Sequence, residues 1–272
     1  MRGHRQIPDI ERIRAEVARG SVQGSHTRSG VWLFLADIEC DESLFDEALE
    51  DYARAIRDMA NEKMRDATRI KRGKVAIQAK RFDIGELAFR EAASSSRFPD
   101  SAFFESQAML VRLLCLTEQP EESLKEWGVL KTRVGQVVDD VDIPFEVAIA
   151  YATIADAIPV RAEEILTHGA GLHFGKNHGV KIAMVRSGLA RVLIHKETPT
   201  DAELARALKL ADAAWRADKS DPGYLKVLAD CYRANGKRNA AIAAFGKYQE
   251  LCDDEKERTL IGKLILQLQE QE

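Results

Sequence analysis

Three of the six histidines fall within fifteen residues, in Leu166–Val180, LTHGAGLHFGKNHGV, which also holds Gly169, Gly171, Gly175 and Gly179. Neutral imidazoles are good ligands for zinc, copper or nickel, so His168, His173 and His178 form a candidate metal site. Their five-residue spacing does not place them on one helix face, no cysteine lies near in sequence, and no His-x-x-x-His occurs. Gly175-Lys176 invites comparison with a phosphate loop. That loop needs G-x-x-x-x-G-K-[ST] after a strand. Here Ala170 stands at the first glycine and Asn177 at the hydroxyl residue. The plainer expectation is a long glycine-rich connection between helices, with neither metal nor cofactor bound.

Charge is segregated along the chain. Residues 37–51 carry eight acids and no Lys or Arg, whereas residues 63–81 carry eight bases against Asp66 alone. On a helix, Arg65, Arg69 and Arg72 share a face, a basic patch able to meet phosphates or an acidic peptide. Two facts weigh against nucleic acid: few aromatics interleave these bases, and the net charge is −4. The simpler outcome is internal, with an acidic hairpin beside a basic helix and neutralising it. No G-x-S-x-G, H-E-x-x-H or dinucleotide fingerprint appears, so no catalytic residue is nominated. Asp139-Asp140-Val141-Asp142 lacks the glycine and terminal glutamate of a calcium loop and is expected to be a solvated linker.

The elements that must position these groups are helices. The 272 residues are 45% hydrophobic and 31% charged, alternating β-type runs are nearly absent, and the 17 glycines and 7 prolines cluster at apparent helix ends. Fourteen helices are expected, at 8–19, 30–41, 44–58, 60–79, 83–94, 99–117, 120–132, 144–156, 159–168, 180–196, 201–217, 222–235, 238–251 and 254–270. No apolar run reaches the roughly 20 residues needed to span a bilayer. The N-terminal MRGHRQIPDIERIR lacks a secretory core, so a cytoplasmic location without membrane contact is expected. Cys40, Cys115, Cys231 and Cys252 form no C-x-x-C pair and are expected to be reduced and mostly buried.

A grammar recurs along these helices. Small residues at Ala48, Gly85, Ser123, Ala162, Ala207 and Ala241 are each followed four residues later by a packing residue: Tyr52, Phe89, Trp127, Leu166, Ala211 and Phe245. Successive anchors lie 37, 38, 39, 45 and 34 residues apart. A fixed helical grammar at such periods is the signature of stacked helical hairpins. The aromatics Trp32, Trp127, Phe89 and Phe245 are therefore core candidates.

The clearest unit is 222–255, PGYLKVLADCYRANGKRNAAIAAFGKYQELCDDE, with Leu228-Ala229, Tyr232, Gly236, Ala241 and Phe245 at the diagnostic places. It resembles a tetratricopeptide repeat, as does 29–60 with Trp32, Leu35, Ala36, Ala48, Tyr52 and Ala55. The latter turn carries Asp41-Glu42-Ser43 where glycine is usual.

The resemblance implies an all-α, right-handed superhelical solenoid of antiparallel helix pairs, about six repeats plus a C-terminal capping helix. Residues 1–28 would form an N-terminal helix and flexible connection, 29–252 the repeats with a hinge near 169–179, and 253–272 the cap. Leu260, Ile261, Leu264, Ile265 and Leu268 would share the cap's inner face. The resemblance also implies a non-catalytic scaffold whose first helices line a groove for a peptide or partner protein, an acidic peptide being the favoured case. Candidate groove residues are Leu33, Asp37, Cys40, Lys74, Arg112, Lys226, Asp230 and Arg233. Asp37 and Asp230 stand where a clamp for chaperone C-terminal carboxylates would need asparagine, so that ligand is not expected. Alternatives are an accessory domain of a larger enzyme system, a ligand- or metal-responsive sensor using 168–179, and self-association into a homo-oligomer.

Overall fold

The computed structural model describes residues 10–19, 28–96, 100–137, 142–175 and 178–270. The Pro8 or Asp9 helix start, Gly20, the connection 21–27, Asp139–Val141 and Lys176-Asn177 lie outside them. So do the side chains of Ile10 and Ile13. The chain is all-α and divides into two compact units, residues 1–119 and 120–272.

The first unit holds α1 (Ile10–Ala18), α2 (Arg28–Asp41), α3 (Phe45–Asp58), α4 (Glu62–Gln78), α5 (Phe82–Ser95) and α6 (Ser101–Leu116). Helices α2 and α3 form one antiparallel pair and α4 and α5 the next, with α6 packed on α5 and α4. The second unit holds α7 (Pro120–Val134), α8 (Phe145–Ala157), a 3₁₀ turn (Pro159–Arg161), α9 (Ala162–Ala170), α10 (His178–Ile194) and α11 (Asp201–Ala217). It ends with α12 (Pro222–Ala234), α13 (Arg238–Leu251) and α14 (Glu255–Glu270). Its pairs are α8 with α9, α10 with α11 and α12 with α13, and α14 covers α13.

Local chemistry sets the ends. Thr200 and Glu203 form a reciprocal capping box on α11, and Asp221 caps α12 with Pro222 in its first turn. After α12, Gly236 takes φ +67° and Lys237 N–H donates to Tyr232 C=O. The same bond pattern follows α2, α4 and α6, from Leu44 to Glu39, Arg81 to Ala76 and Gln119 to Leu114. There the left-handed residue is Ser43, Lys80 or Glu118, not glycine. The turn is therefore a repeat property that only its last copy advertises in sequence.

The anchors meet their expected fate. All six are buried, and the six residues four positions on are each 2% exposed or less. Phe89 shows how the grammar works: its ring lies where a Cβ on Gly73 of α4 would be, at 2.5 Å. Val17 of α1 packs against Trp32, Leu35, Ala55 and Met59.

The structure corrects three expectations. Leu166–Val180 is not one long connection, because Leu166–Ala170 belongs to α9 and His178 begins α10. Gly169 is in α9 for close packing: a Cβ there would stand 2.7 Å from Tyr151 Cδ1 and 2.9 Å from Val185 Cγ1. The remaining connection is held by Lys181, whose Nζ donates to Asp142 Oδ1 at 2.6 Å, Ile143 C=O at 2.8 Å and Phe174 C=O at 3.2 Å. On α14, Ile261 and Leu268 face inward and Leu264 and Ile265 are half-buried, but Leu260 is 65% exposed. At 100° per residue Leu260 falls beyond the edge of the stripe centred on Ile261. Of the cysteines, only Cys231 is fully buried, and all four are free.

A buried charge cluster ties α1 to the first pair. Glu39 of α2 and Asp51 of α3 are both fully buried. Arg14 of α1 bonds Glu39 at 2.6 Å and Asp51 at 3.1 Å, and Arg54 bonds Asp51 at 2.5 Å. Burial, then the adjacent Asp51 carboxylate, push Glu39 from 4.5 up to about 7 against the pull of Arg14.

Two tests follow from this packing. Gly169→Ala should destabilise the protein by about 1–3 kcal/mol, because both facing side chains are buried. Gly128→Ala in α7, with no atom within 4 Å of its added Cβ, should stabilise by about 0.4–1 kcal/mol. Denaturant titration reads both, and equal effects would refute the close-packing role. The second test concerns pH. Glu39 binds its proton more tightly folded than unfolded, so its contribution is full below pH 4.5 and is lost as pH rises to about 7. Relative to Glu39→Gln, the wild type should lose about 3 kcal/mol across that window; parallel pH profiles would contradict this.

Candidate binding groove

In the second unit, α10 lies between α8 and α12. Its core stripe is Ile182, Ala183, Val185, Leu189, Ala190 and Leu193. The residues beside that stripe, Met184, Ser187, Gly188 and Arg191, open onto a groove of about 300 Å³. Ala152 and Asp156 of α8 form one wall, and Gly223, Tyr224 and Val227 of α12 form the other, with Asp221 at its end. Leu166 supplies the floor. It reaches the groove because Gly188 has no side chain, and a Cβ there would stand 3.4 Å from Leu166 Cδ1.

The groove mixes apolar surface with a few polar groups, as ligand pockets do. Asp156 and Arg191 pair across its mouth at 2.8 Å while 69% and 55% exposed. Such an exposed pair is weak and exchangeable. Ser187 is 6% exposed, and its hydroxyl has no hydrogen-bond partner among the described residues. Burial, then Asp221 and Asp218, push the Tyr224 phenol up to about 12, so it stays a neutral donor. The arrangement can bind and orient, and it sets no nucleophile beside a base.

The groove candidates chosen from sequence occupy first helices but are engaged with neighbours. Lys226 bonds Glu257 of α14 at 2.5 Å, and Arg233 bonds Asp230 one turn away at 3.0 Å. Burial pushes Asp230 up, against the pull of Arg233, Lys226 and His195. In the first unit, Asp37 accepts from Tyr52 at 2.6 Å and Lys71 at 2.9 Å, Lys74 bonds Glu105 at 2.6 Å, and Arg112 lies 3.2 Å from Met109 Sδ. Leu33 is half-buried against both clusters beside α2, and Cys40 packs against one of them. A common pattern emerges: Asp37–Lys71, Lys74–Glu105, Asp156–Arg191 and Lys226–Glu257 each join one first helix to the next, α14 being the last.

The basic patch also turns inward. Arg65 donates to Met59 C=O at 2.5 Å, Arg69 to Asp66 at 2.8 Å and Ser95 at 3.0 Å, and Arg72 to Leu49 C=O at 3.2 Å. Burial lowers the Arg72 pKa. Asp46 bonds Arg81 at 3.0 Å, so acidic and basic blocks do meet. The histidines are not gathered. His168 Nδ1 lies 2.8 Å from Tyr151 Oη, whereas His173 and His178 stack with centroids 4.9 Å apart and His178 Nδ1 accepts from Phe174 N–H at 3.1 Å. Burial lowers the pKa of both His168 and His178. Among the described residues no three His, Cys, Asp or Glu side chains form a metal-holding group. No described helix is long and apolar enough to cross a membrane.

The groove residues themselves escaped the sequence analysis, although a signal existed. Ala152, Gly188 and Tyr224 are spaced by 36 residues, so they share one register on successive first helices.

No protein-family model and no curated protein matches the sequence. Solved structures do match. Yeast Tom70 aligns with TM-score 0.60 and 15% identity over 89% of this chain and 47% of its own. The type IV pilus biogenesis factor PilW aligns with TM-score 0.57 and 16% identity over 87% and 100%. The C-terminal part of a TPR repeat-containing protein from Cytophaga hutchinsonii aligns with TM-score 0.55 and 13% identity over 93% and 92%. At such identities the likeness is one of fold. By its consecutive antiparallel helix pairs, its anchor register and these structural neighbours, the chain has the fold of a tetratricopeptide-type helical repeat.

Proposed function

We propose that the protein is a non-catalytic scaffold that holds a peptide segment of a partner protein in the groove of α8, α10 and α12. The observation that carries this is the groove itself, where Ser187 and Gly188 lie between apolar walls and the exposed Asp156–Arg191 pair stands at the mouth. Gly188 has no side chain, so a peptide backbone can pass close over it and hydrogen-bond the groove-facing Ser187 hydroxyl. The exposed Asp156–Arg191 pair supplies the exchangeable charge: a peptide carboxylate can replace Asp156 on the guanidinium. This favours a segment with an acidic residue beside a small or apolar one. Four free cysteines support a reducing, cytoplasmic setting.

Peptides selected from a displayed random library against the full chain test this. Arg191→Glu should weaken their binding at least tenfold, about 1.4 kcal/mol, while Lys63→Glu on exposed α4 surface leaves it unchanged. Selected peptides that bind Arg191→Glu as tightly as wild type would remove the groove as the site.

A further inference from the structure

A second cleft, in the first unit, has a different chemistry. It measures about 420 Å³ and is walled by Arg14 of α1, Arg28 and Trp32 of α2, and Arg54, Arg57 and Asp58 of α3. Four guanidinium groups line it, and the carboxylates that pair with them are Glu39, Asp51, Glu50 and Asp58. Their engagements differ. Arg14 and Arg54 are held by the buried Glu39 and Asp51 behind the cleft, and Arg54 lies 5.1 Å over the Trp32 ring. Arg28 makes only an exposed pair with Asp58 at 3.2 Å. Arg57 is exposed and has no ion-pair or hydrogen-bond partner among the described residues. The wall also holds an orphan donor, since Trp32 is 3% exposed and its indole Nε1 is buried without an acceptor.

We propose that this cleft binds the doubly charged head of a phosphate monoester or diphosphate. Arg57 and Arg28 supply the planar donor forks that match phosphate oxygens, and Arg28 exchanges Asp58 for the ligand. Arg14 and Arg54, fixed by the carboxylates they pair with, form the back of the cleft without having to move. The cleft volume suits a small phosphorylated molecule or a lipid headgroup and exceeds that of a single ion. This site is separate from the α8–α10–α12 groove and stands or falls without it.

Isothermal titration of the full chain with inorganic pyrophosphate, at ionic strength matched with sodium chloride, tests the proposal. Saturable binding is expected, at least tenfold weaker in Arg57→Gln and unchanged in Lys63→Gln. Arg57 is exposed and partnerless, so its substitution does not threaten the fold. A shift of the Trp32 indole proton on titration, identified by its loss in Trp32→Phe, should accompany binding. Flotation with phosphatidic-acid vesicles separates the two sources: co-flotation lost in Arg57→Gln assigns a lipid headgroup, and pyrophosphate binding without flotation assigns a soluble phosphate. Absence of saturable binding to either probe overturns the proposal, as does binding that Arg57→Gln leaves intact.

Discussion

Close approach of helices at small residues is the constraint on which the rest of the structure depends. Each second helix presents a buried small residue and, one turn later, a side chain that fills the space so opened. Interiors are packed to crystal-like density, so a pair that closes this way has little freedom to slide. Gly73 against Phe89 and Gly169 against Tyr151 and Val185 are the tightest instances, and in both the missing Cβ is what lets the helices meet. The groove in the second unit follows from that geometry, because core residues of α10 must face inward and leave Ser187, Gly188 and Arg191 beside them.

Electrostatics plays a second, registering part. Ion pairs link successive first helices at corresponding places, from Asp37–Lys71 to Lys226–Glu257. Exposed pairs of this kind contribute little stability. Their consequence is chemical: lysines that look free in sequence already have carboxylate partners. What is left for a ligand is a groove whose serine faces its opening and a cleft in which Arg57 has no partner among the described residues. The buried Glu39–Asp51 pair belongs to the same account, since one protonation there alters the charge behind the cleft.

Neither candidate site sets a nucleophile beside a base, and both offer fixed donors to a group that arrives from outside. The two sites differ in what they would recognise: the groove offers apolar walls with the Ser187 and Tyr224 hydroxyls and one exposed ion pair, and the cleft offers guanidinium forks.

The sequence by itself determined the helices, their pairing and the buried anchors, because those depend on spacing within one chain segment. The period from Ala48 to Phe245 was legible even where Ser43, Lys80 and Glu118 stand in turns that glycine usually marks. It did not distinguish glycine as a loop former from glycine as a contact surface, so Gly169 was expected outside the helix it occupies. Nor could it say which charges were spent. Arg65, Arg69 and Arg72 share a helix face in any sequence plot, and only the packed structure shows Met59, Asp66 and Leu49 accepting from them. Ser187 and Arg57 are the converse, ordinary in sequence and singled out by what surrounds them. Pairing across helices is a property of three-dimensional neighbours 25 to 40 residues apart, and no local pattern encodes which partner is reached or which group is left without one.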